Sequence, residues 1–168
     1  MKNSSPTVKQ LAVFAFLCCA LLAAPVARLA AQAQPAPAPA QAKSTLTIHV
    51  TGLRNANGKL NIALFRDGKG FPSDIASAVG TQRLEIDPQT QTVTAVFTNL
   101  PQGAYAVSLF HDEKLTGKME YDAQGIPQEG YGMSNNPGTT QGPPSPEQAT
   151  FKANQPETII EIKMVYWQ

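Results

Sequence analysis

The sequence from residue 34 onward contains no cysteine. Cys18 and Cys19 lie side by side within an apolar N-terminal run, where they can neither bridge a folded domain nor hold a structural metal within it. The sequence also has no G-x-S-x-G, no H-E-x-x-H and no glycine-rich phosphate loop. Without a disulfide, we expect the domain to be stabilised by its hydrophobic core. Without any of these catalytic or phosphate-binding motifs, the sequence identifies no reaction.

Basic residues are too few in the predicted domain to favour an anionic polymer as partner. Of the 13 Lys and Arg residues, Lys2, Lys9, Arg28 and Lys43 precede the domain, which leaves nine in residues 44–168 against 12 Asp and Glu, a net charge of about −3. Such a domain is a poor nucleic-acid binder, and no basic amphipathic helix is present to hold it on a membrane surface. We expect no nucleic-acid partner and no membrane span in the mature chain.

The N-terminus is typical of a secretory signal peptide. Lys2 and Lys9 precede an uncharged apolar run at residues 11–24 that is too short to span a bilayer comfortably. Ala31-Gln32-Ala33 has the form of a cleavage site, so residues 1–33 are predicted to be removed and the mature protein to be periplasmic or secreted. The alternatives are an uncleaved anchor and a lipoprotein attached through a cysteine.

Residues 34–43 alternate Pro and Ala, which predicts an extended, polyproline-type linker ahead of the domain at residues 44–168. This linker is either a stalk that reaches from a membrane or a disordered leader.

From Ser44 onward, apolar residues recur at every second position, which is the period of a strand with one buried face. The first two strands contain Leu46, Ile48 and Val50, then Leu60, Ile62 and Leu64. Asn57-Gly58 between them predicts an antiparallel hairpin. Further strands are predicted at residues 81–87, 91–100, 104–111, 149–153 and 157–166, and a helical turn or two at residues 73–79. About seven short strands predict an all-β fold, an antiparallel Greek-key sandwich of the immunoglobulin-like or transthyretin-like kind.

Leu100-Pro101-x-Gly103-x-Tyr105 predicts a tight corner in which the Tyr105 hydroxyl bonds to upstream backbone. The chain from residue 112 to residue 148 is then far longer than an ordinary connection. We expect this loop to be ordered, with Tyr121, Tyr131, Ile126 and Met133 packing it onto the sandwich.

Two motifs give the chain a family resemblance. LPxGxYAxxxxHD at Leu100–Asp112 and GIPxEGYGxSNN at Gly125–Asn136, followed by GPP at residues 142–144, resemble the exported bacterial domains of the domain-of-unknown-function family number 2141. The resemblance extends from Leu46 to Tyr166. It implies a secreted or periplasmic all-β domain with no established activity.

The resemblance also raises the question of calcium. The family segment after His-Asp is similar to HDxNxNGxxD, an opening that wraps Ca²⁺ in other proteins, but here Lys114 and Thr116 stand where the pattern has Asn. An ammonium group cannot coordinate a cation. The cofactor prediction is therefore none, with Ca²⁺ bound by Asp112, Glu120 and Asp122 as the alternative.

The predicted ligand-binding residues are His111, Glu129, Tyr131, Asn135 and Asn136, because an aromatic ring flanked by polar groups suits a sugar ring or an extended peptide. The predicted function is an exported, non-enzymatic module that binds a glycan, a peptide or another envelope component through residues 112–148. One alternative is a hydrolase that uses His111, Asp112 and Glu129; another is a Ca²⁺-stabilised accessory domain. In a purely structural interpretation, Tyr131 seals the loop, the two Asn residues cap turns and His111 bonds to loop carbonyl groups.

Overall fold

The computed structural model describes residues 42–138 and 144–167. The predicted signal peptide with both cysteines, residues 34–41 of the predicted linker and residues 139–143 of the long loop lie outside the described residues, so what was predicted for them stays a prediction. The described chain forms eight strands: β1 (Lys43–Thr51), β2 (Lys59–Arg66), β3 (Gly80–Leu84), β4 (Val93–Pro101), β5 (Gly103–Asp112), β6 (Tyr131–Met133), β7 (Phe151–Ala153) and β8 (Glu157–Lys163).

The strands form two sheets around one core. One sheet has three strands in the order β4-β1-β8, and the other has five, in the order β3-β2-β5-β6 with β7 also paired to β5. Strands distant in sequence are neighbours, as in a Greek-key topology. The predicted all-β sandwich is confirmed. It departs from a purely antiparallel arrangement in one place, because β1 and β8 run parallel, and the long path between them allows the crossover that parallel pairing needs.

The predicted hairpin between the first two strands is wrong. β1 lies between β4 and β8, whereas β2 lies between β3 and β5 in the other sheet, so residues 52–58 cross from one sheet to the other. Alternation shows which face of a strand is apolar but not which strands are neighbours. Two apolar faces can be buried side by side in one sheet or opposite each other in two sheets. Gly58 does adopt a positive φ of 68°, but it lies against the backbone of Asp112, where a Cβ would collide with the carbonyl oxygen.

The core consists of the residues that the alternation predicts. Leu46, Ile48 and Val50 of β1 and Leu60 and Leu64 of β2 expose no surface, and they pack in one cluster with inward residues of the other strands. Each such side chain contributes about 1.5–3 kcal/mol to stability on burial. This cluster is therefore the main source of stability that holds the two sheets together.

The predicted tyrosine corner is confirmed. Tyr105, at the start of β5, is buried, and its hydroxyl donates to the carbonyl oxygen of Pro101 at 2.5 Å. Burial raises the pKa of the Tyr105 phenol. The residue fixes the turn between β4 and β5 and is not available for chemistry.

The segment predicted as one long loop contains two elements that the sequence pattern does not reveal. The three residues of β6 pair with β5, and the one-turn helix α1 (Pro146–Ala149) follows Ser145, whose N–H donates to the Gln148 side chain. Both are too short to show a period, and the strand predicted from residue 149 begins only at Phe151. The helical turn predicted near residues 73–79 is a 3₁₀ turn at Ile75–Ser77. Within the ranges that the structure covers, no helix is long and apolar enough to cross a membrane.

Candidate functional site

The outer face of the five-stranded sheet, which points away from the core, is covered over only part of its area. At one end, Phe65 and Ala106 are buried with Phe71 and Ala149 in a second apolar cluster. The rings of Phe65 and Phe71 meet edge to face, 5.9 Å between centroids. The adjoining part of this face is a groove of about 560 Å³, a volume typical of sites that bind small molecules.

Two rows of outward-facing side chains form the floor of the groove. Residues that stand opposite each other on antiparallel neighbours point to the same face. The strand register therefore aligns one row across β3, β2, β5 and β6, which consists of Arg83, Asn61, Phe110 and Tyr131. The next row consists of Thr81, Ala63, Ser108 and Met133. We call these eight residues the groove floor.

Two loops add the walls of the groove. Pro72 and Ile75 come from the segment between β2 and β3, and Met119 and Tyr121 come from the long loop. Ile75 and Tyr121 are large apolar residues that are 54% and 59% exposed, so they are available to a ligand. The prediction that Tyr121 packs the loop onto the sandwich is wrong, because its ring stands in the wall and not in the core. Met133, by contrast, does pack against the second apolar cluster.

Asp112 connects the groove to the start of the long loop. Its carboxylate is fully buried and accepts hydrogen bonds from the backbone N–H groups of Thr116 at 2.8 Å and Gly117 at 2.9 Å. The guanidinium group of Arg83 donates to the same carboxylate at 2.9 Å, and the Asn61 amide lies 3.4 Å away. One buried carboxylate thus fixes both the first turn of the loop and the cation of the floor.

His111 is fully buried, with both ring nitrogens bonded. Nε2 lies 2.7 Å from the carbonyl oxygen of Asn57, which can only accept, so Nε2 carries the proton. Nδ1 then accepts the hydroxyl proton of Tyr166 at 2.8 Å, while the N–H of Arg54 donates to the Tyr166 oxygen. This bonding is what the structural interpretation of His111 expects.

The carboxylate beside His111 belongs to Glu113, 3.5 Å from Nδ1, and not to Asp112 or Glu129. Two hydrogen bonds from the Arg54 guanidinium, at 2.7 and 2.6 Å, and one from Asn55 hold Glu113. The pairing with Arg54 lowers the pKa of the Glu113 carboxyl. Among the residues described, no hydrogen bond joins any two of His111, Asp112 and Glu129, the three residues of the hydrolase alternative.

Glu129, a residue of the long loop, is buried with only one of its two carboxyl oxygens bonded among the described residues. Oε2 accepts the backbone N–H of Glu120 at 3.2 Å, whereas Oε1 has no hydrogen-bond partner among the described residues. Burial raises the pKa of Glu129, and the charges of Asp112 and Glu120 add to this effect. Glu129 does not line the groove.

The two predicted Asn residues bond to the backbone. Both have positive φ, 66° for Asn135 and 47° for Asn136, a conformation that Asn tolerates in turns. The Asn135 amide donates to the carbonyl oxygens of Gln148 and Thr150, and Asn136 bonds to the backbone of Glu161 and Lys163. They tie the end of β6 to α1 and β8, although Asn136 also borders a smaller cavity of about 280 Å³.

The predicted calcium ligands are engaged separately. Asp112 bonds as described above, Asp122 accepts the N–H groups of Gln124 and Ile126 at 2.9 and 2.8 Å, and Glu120 pairs with Lys114 at 2.8 Å. In the part of the chain that the structure describes, no three His, Asp or Glu side chains are grouped so as to hold a metal ion. These contacts occupy oxygens that a cation needs, and Ca²⁺ binding stays a prediction.

Of the five predicted ligand-binding residues, the structure places Tyr131 in the groove and leaves His111, Glu129, Asn135 and Asn136 outside it. Sequence reasoning missed Arg83, Asn61 and Phe110. Phe110 did leave a signal: it is a large apolar residue at an outward position of β5, where alternation calls for a polar one. Arg83 has no such signal in the sequence, because only the strand register places it in the same row as Phe110.

Comparisons with known proteins bear on the family alone. A model of the family described as "Uncharacterized protein conserved in bacteria (DUF2141)" matches residues 48–161. No curated protein and no solved structure matches the chain significantly. The matched range includes β2 to β7 with the complete groove floor. The chain therefore belongs to the DUF2141 family of bacterial proteins.

Proposed function

We propose that the protein is an exported, non-enzymatic module that binds a ligand in the groove on the outer face of its five-stranded sheet. The observation that carries the proposal is the groove floor, where Phe110, Tyr131 and Met133 remain partly exposed between two loop walls. A cluster of apolar side chains in a concave surface is the usual form of a binding site. The proposal of export rests on the signal-peptide pattern of residues 1–33.

The groove favours an apolar ligand or an apolar side chain of a peptide over a sugar chain. Rings such as those of Phe110 and Tyr131 can stack on either, but a sugar also needs many hydrogen-bonding groups. Asn61 already bonds weakly to Asp112, and the Ser108 hydroxyl donates to the carbonyl oxygen of Pro72 at 2.6 Å. The groove therefore offers more apolar surface than free polar groups.

A ligand-detected NMR screen tests this proposal. The probes are 4-phenylbutanamide as a neutral aromatic compound, an N-acetylglucosamine disaccharide and a short aromatic peptide. We expect the wild-type protein to bind the amide or the peptide, and we expect Tyr131→Ala and Phe110→Ala to lose about tenfold or more in affinity, because each removes a stacking ring. The register hydrogen bonds of β6 and β5 are backbone bonds and survive both substitutions.

The matched control is Ile159→Ala, which removes a side chain that is 60% exposed on the other sheet. It should bind like the wild type. The proposal is abandoned if no probe binds in a way that depends on the two rings. Thermal unfolding of each variant separates loss of the groove from loss of the fold.

A further inference from the structure

We infer that the ligand of this groove is a small organic acid with an apolar body, and that Arg83 receives its carboxylate. This inference rests on the proposed function and adds the chemical class of the ligand. It starts from an imbalance of charge. The domain is acidic overall, yet the charged residues that line the groove are Arg83 and Lys118. Within the described ranges no Asp or Glu lines it, and Asp112, which pairs with Arg83, is fully buried.

Arg83 has the geometry of a carboxylate receptor. Its side chain is 43% exposed, and one of its five N–H donors is bonded, to Asp112, among the residues described. The other donors can reach a ligand at the end of the row. A guanidinium group presents a planar fork that binds a carboxylate through two parallel hydrogen bonds.

Asp112 holds this fork in place. Because the Asp112 carboxylate is buried and fixed by two backbone N–H groups of the loop, the guanidinium bonded to it is held at the groove end. A positioned cation loses less conformational entropy on binding than a free Arg side chain does. Lys118 in the groove lining adds a second positive charge.

The other residues of the row, Asn61, Phe110 and Tyr131, suit the apolar part of the inferred ligand. Asn61 separates Arg83 from Phe110 and Tyr131, and adjacent strands are about 4.8 Å apart, so the backbone of Phe110 lies roughly two strand spacings from that of Arg83 and the backbone of Tyr131 roughly three. Met119 and Met133 add flexible apolar surface next to the rings, which tolerates ligands of different shape. An aromatic ring joined to a carboxylate by a short alkyl chain can reach from the Arg83 guanidinium to the ring of Phe110, beside which Tyr131 stands on the next strand.

Paired probes test the inference. Binding of 4-phenylbutanoate and of 4-phenylbutanamide to the purified protein is measured by calorimetry or NMR titration. The two compounds share the same apolar part and differ in charge, since the acid is an anion and the amide is neutral. We expect the acid to bind about tenfold tighter or more, because a charge-assisted double hydrogen bond replaces a neutral contact. The preference should weaken as salt concentration rises.

Substitutions assign the preference to Arg83. In Arg83→Gln the acid should bind no tighter than the amide, and in Arg83→Lys, which keeps the charge but loses the fork, the preference should fall severalfold. Arg66→Gln is the control, since Arg66 also lies in the five-stranded sheet, is partly exposed and does not line the groove. If Arg83→Gln is too unstable, Arg83→Lys alone decides the assignment.

The outcomes distinguish this inference from the proposed function. Equal affinity for acid and amide, with both dependent on Tyr131, overturns the inference and leaves the groove as a binding site. A preference for the acid that survives Arg83→Gln also overturns it. If neither compound binds at millimolar concentration, the inference is wrong, and the disaccharide and the peptide decide the proposed function separately.

Discussion

Two glutamates of the long loop should have opposite effects on stability. The Glu113 carboxylate pairs with Arg54, and this pairing lowers the pKa of Glu113. Glu129 is buried with one oxygen that has no hydrogen-bond partner among the described residues, and burial raises the pKa of Glu129. We predict that Glu113→Gln lowers the melting temperature near neutral pH and that Glu129→Gln raises it. The Glu113 prediction tests whether Arg54 and Asn55 fix the start of the long loop, and the Glu129 prediction tests whether a buried charge in the loop destabilises the fold.

The sign of each effect depends on pH. A carboxyl with a lowered pKa in the folded state stabilises the protein above its unfolded value, near 4.5, and this stabilisation is lost as the pH falls through the folded pKa. A carboxyl with a raised pKa destabilises the protein at pH values above the folded pKa, and this penalty is relieved as the pH falls toward 4.5. The melting temperature of each Gln variant should therefore approach that of the wild type as the pH falls, from below for Glu113→Gln and from above for Glu129→Gln.

The magnitudes follow from the contacts. Glu113 is 18% exposed and Arg54 46% exposed, so solvent screens part of their interaction. We expect a loss of about 1–2 kcal/mol for Glu113→Gln, which corresponds to roughly 3–8 °C in a domain of this size. For Glu129→Gln we expect a gain of about 1 kcal/mol, because an amide still leaves one polar atom unbonded but removes the buried charge.

Thermal unfolding followed by circular dichroism from about pH 7.5 down to about pH 3.5 checks both predictions. Glu85→Gln is the control, since Glu85 is 76% exposed in a surface pair with Lys59. A Glu129→Gln variant that is less stable than the wild type at neutral pH would refute the reasoning. So would a Glu113→Gln effect that persists unchanged in acid.

Three further predictions concern the fold and calcium. Tyr105→Phe should cost about 1–2 kcal/mol, because the carbonyl of Pro101 loses its hydroxyl donor, whereas Tyr121→Phe in the exposed wall should leave the free energy of unfolding in urea unchanged. Gly130→Ala should cost about 2 kcal/mol or more, since a Cβ at Gly130 would collide with the ring of Tyr166. Gly138→Ala, where a Cβ would meet no atom of the described residues within 4 Å, is the control, and equal melting temperatures would contradict the packing. Millimolar Ca²⁺ added to the chelator-treated protein should leave the melting temperature unchanged, because the predicted ligands are bonded within the protein, and a rise that grows with Ca²⁺ concentration would show a site.

The local features of this protein are determined by its sequence. Alternation identifies Leu46, Ile48 and Val50 as one buried face because side chains on a strand point to opposite sides with a period of two. The corner at Tyr105 is also local, since the hydroxyl reaches a carbonyl only four residues upstream. Such patterns establish the all-β class, and the motifs between Leu100 and Asn136 suggest the family before any coordinates are known.

Only the tertiary structure decides which strands are neighbours. Alternation fixes the buried face of β1 and β2 but carries no information about the strand on either side, which is why the predicted hairpin is wrong. The groove depends on those neighbours, because Arg83, Asn61, Phe110 and Tyr131 are far apart in sequence and form a row only through the register of four strands. Its open area further depends on how far the second apolar cluster extends over the sheet, and that is a property of packing between distant segments.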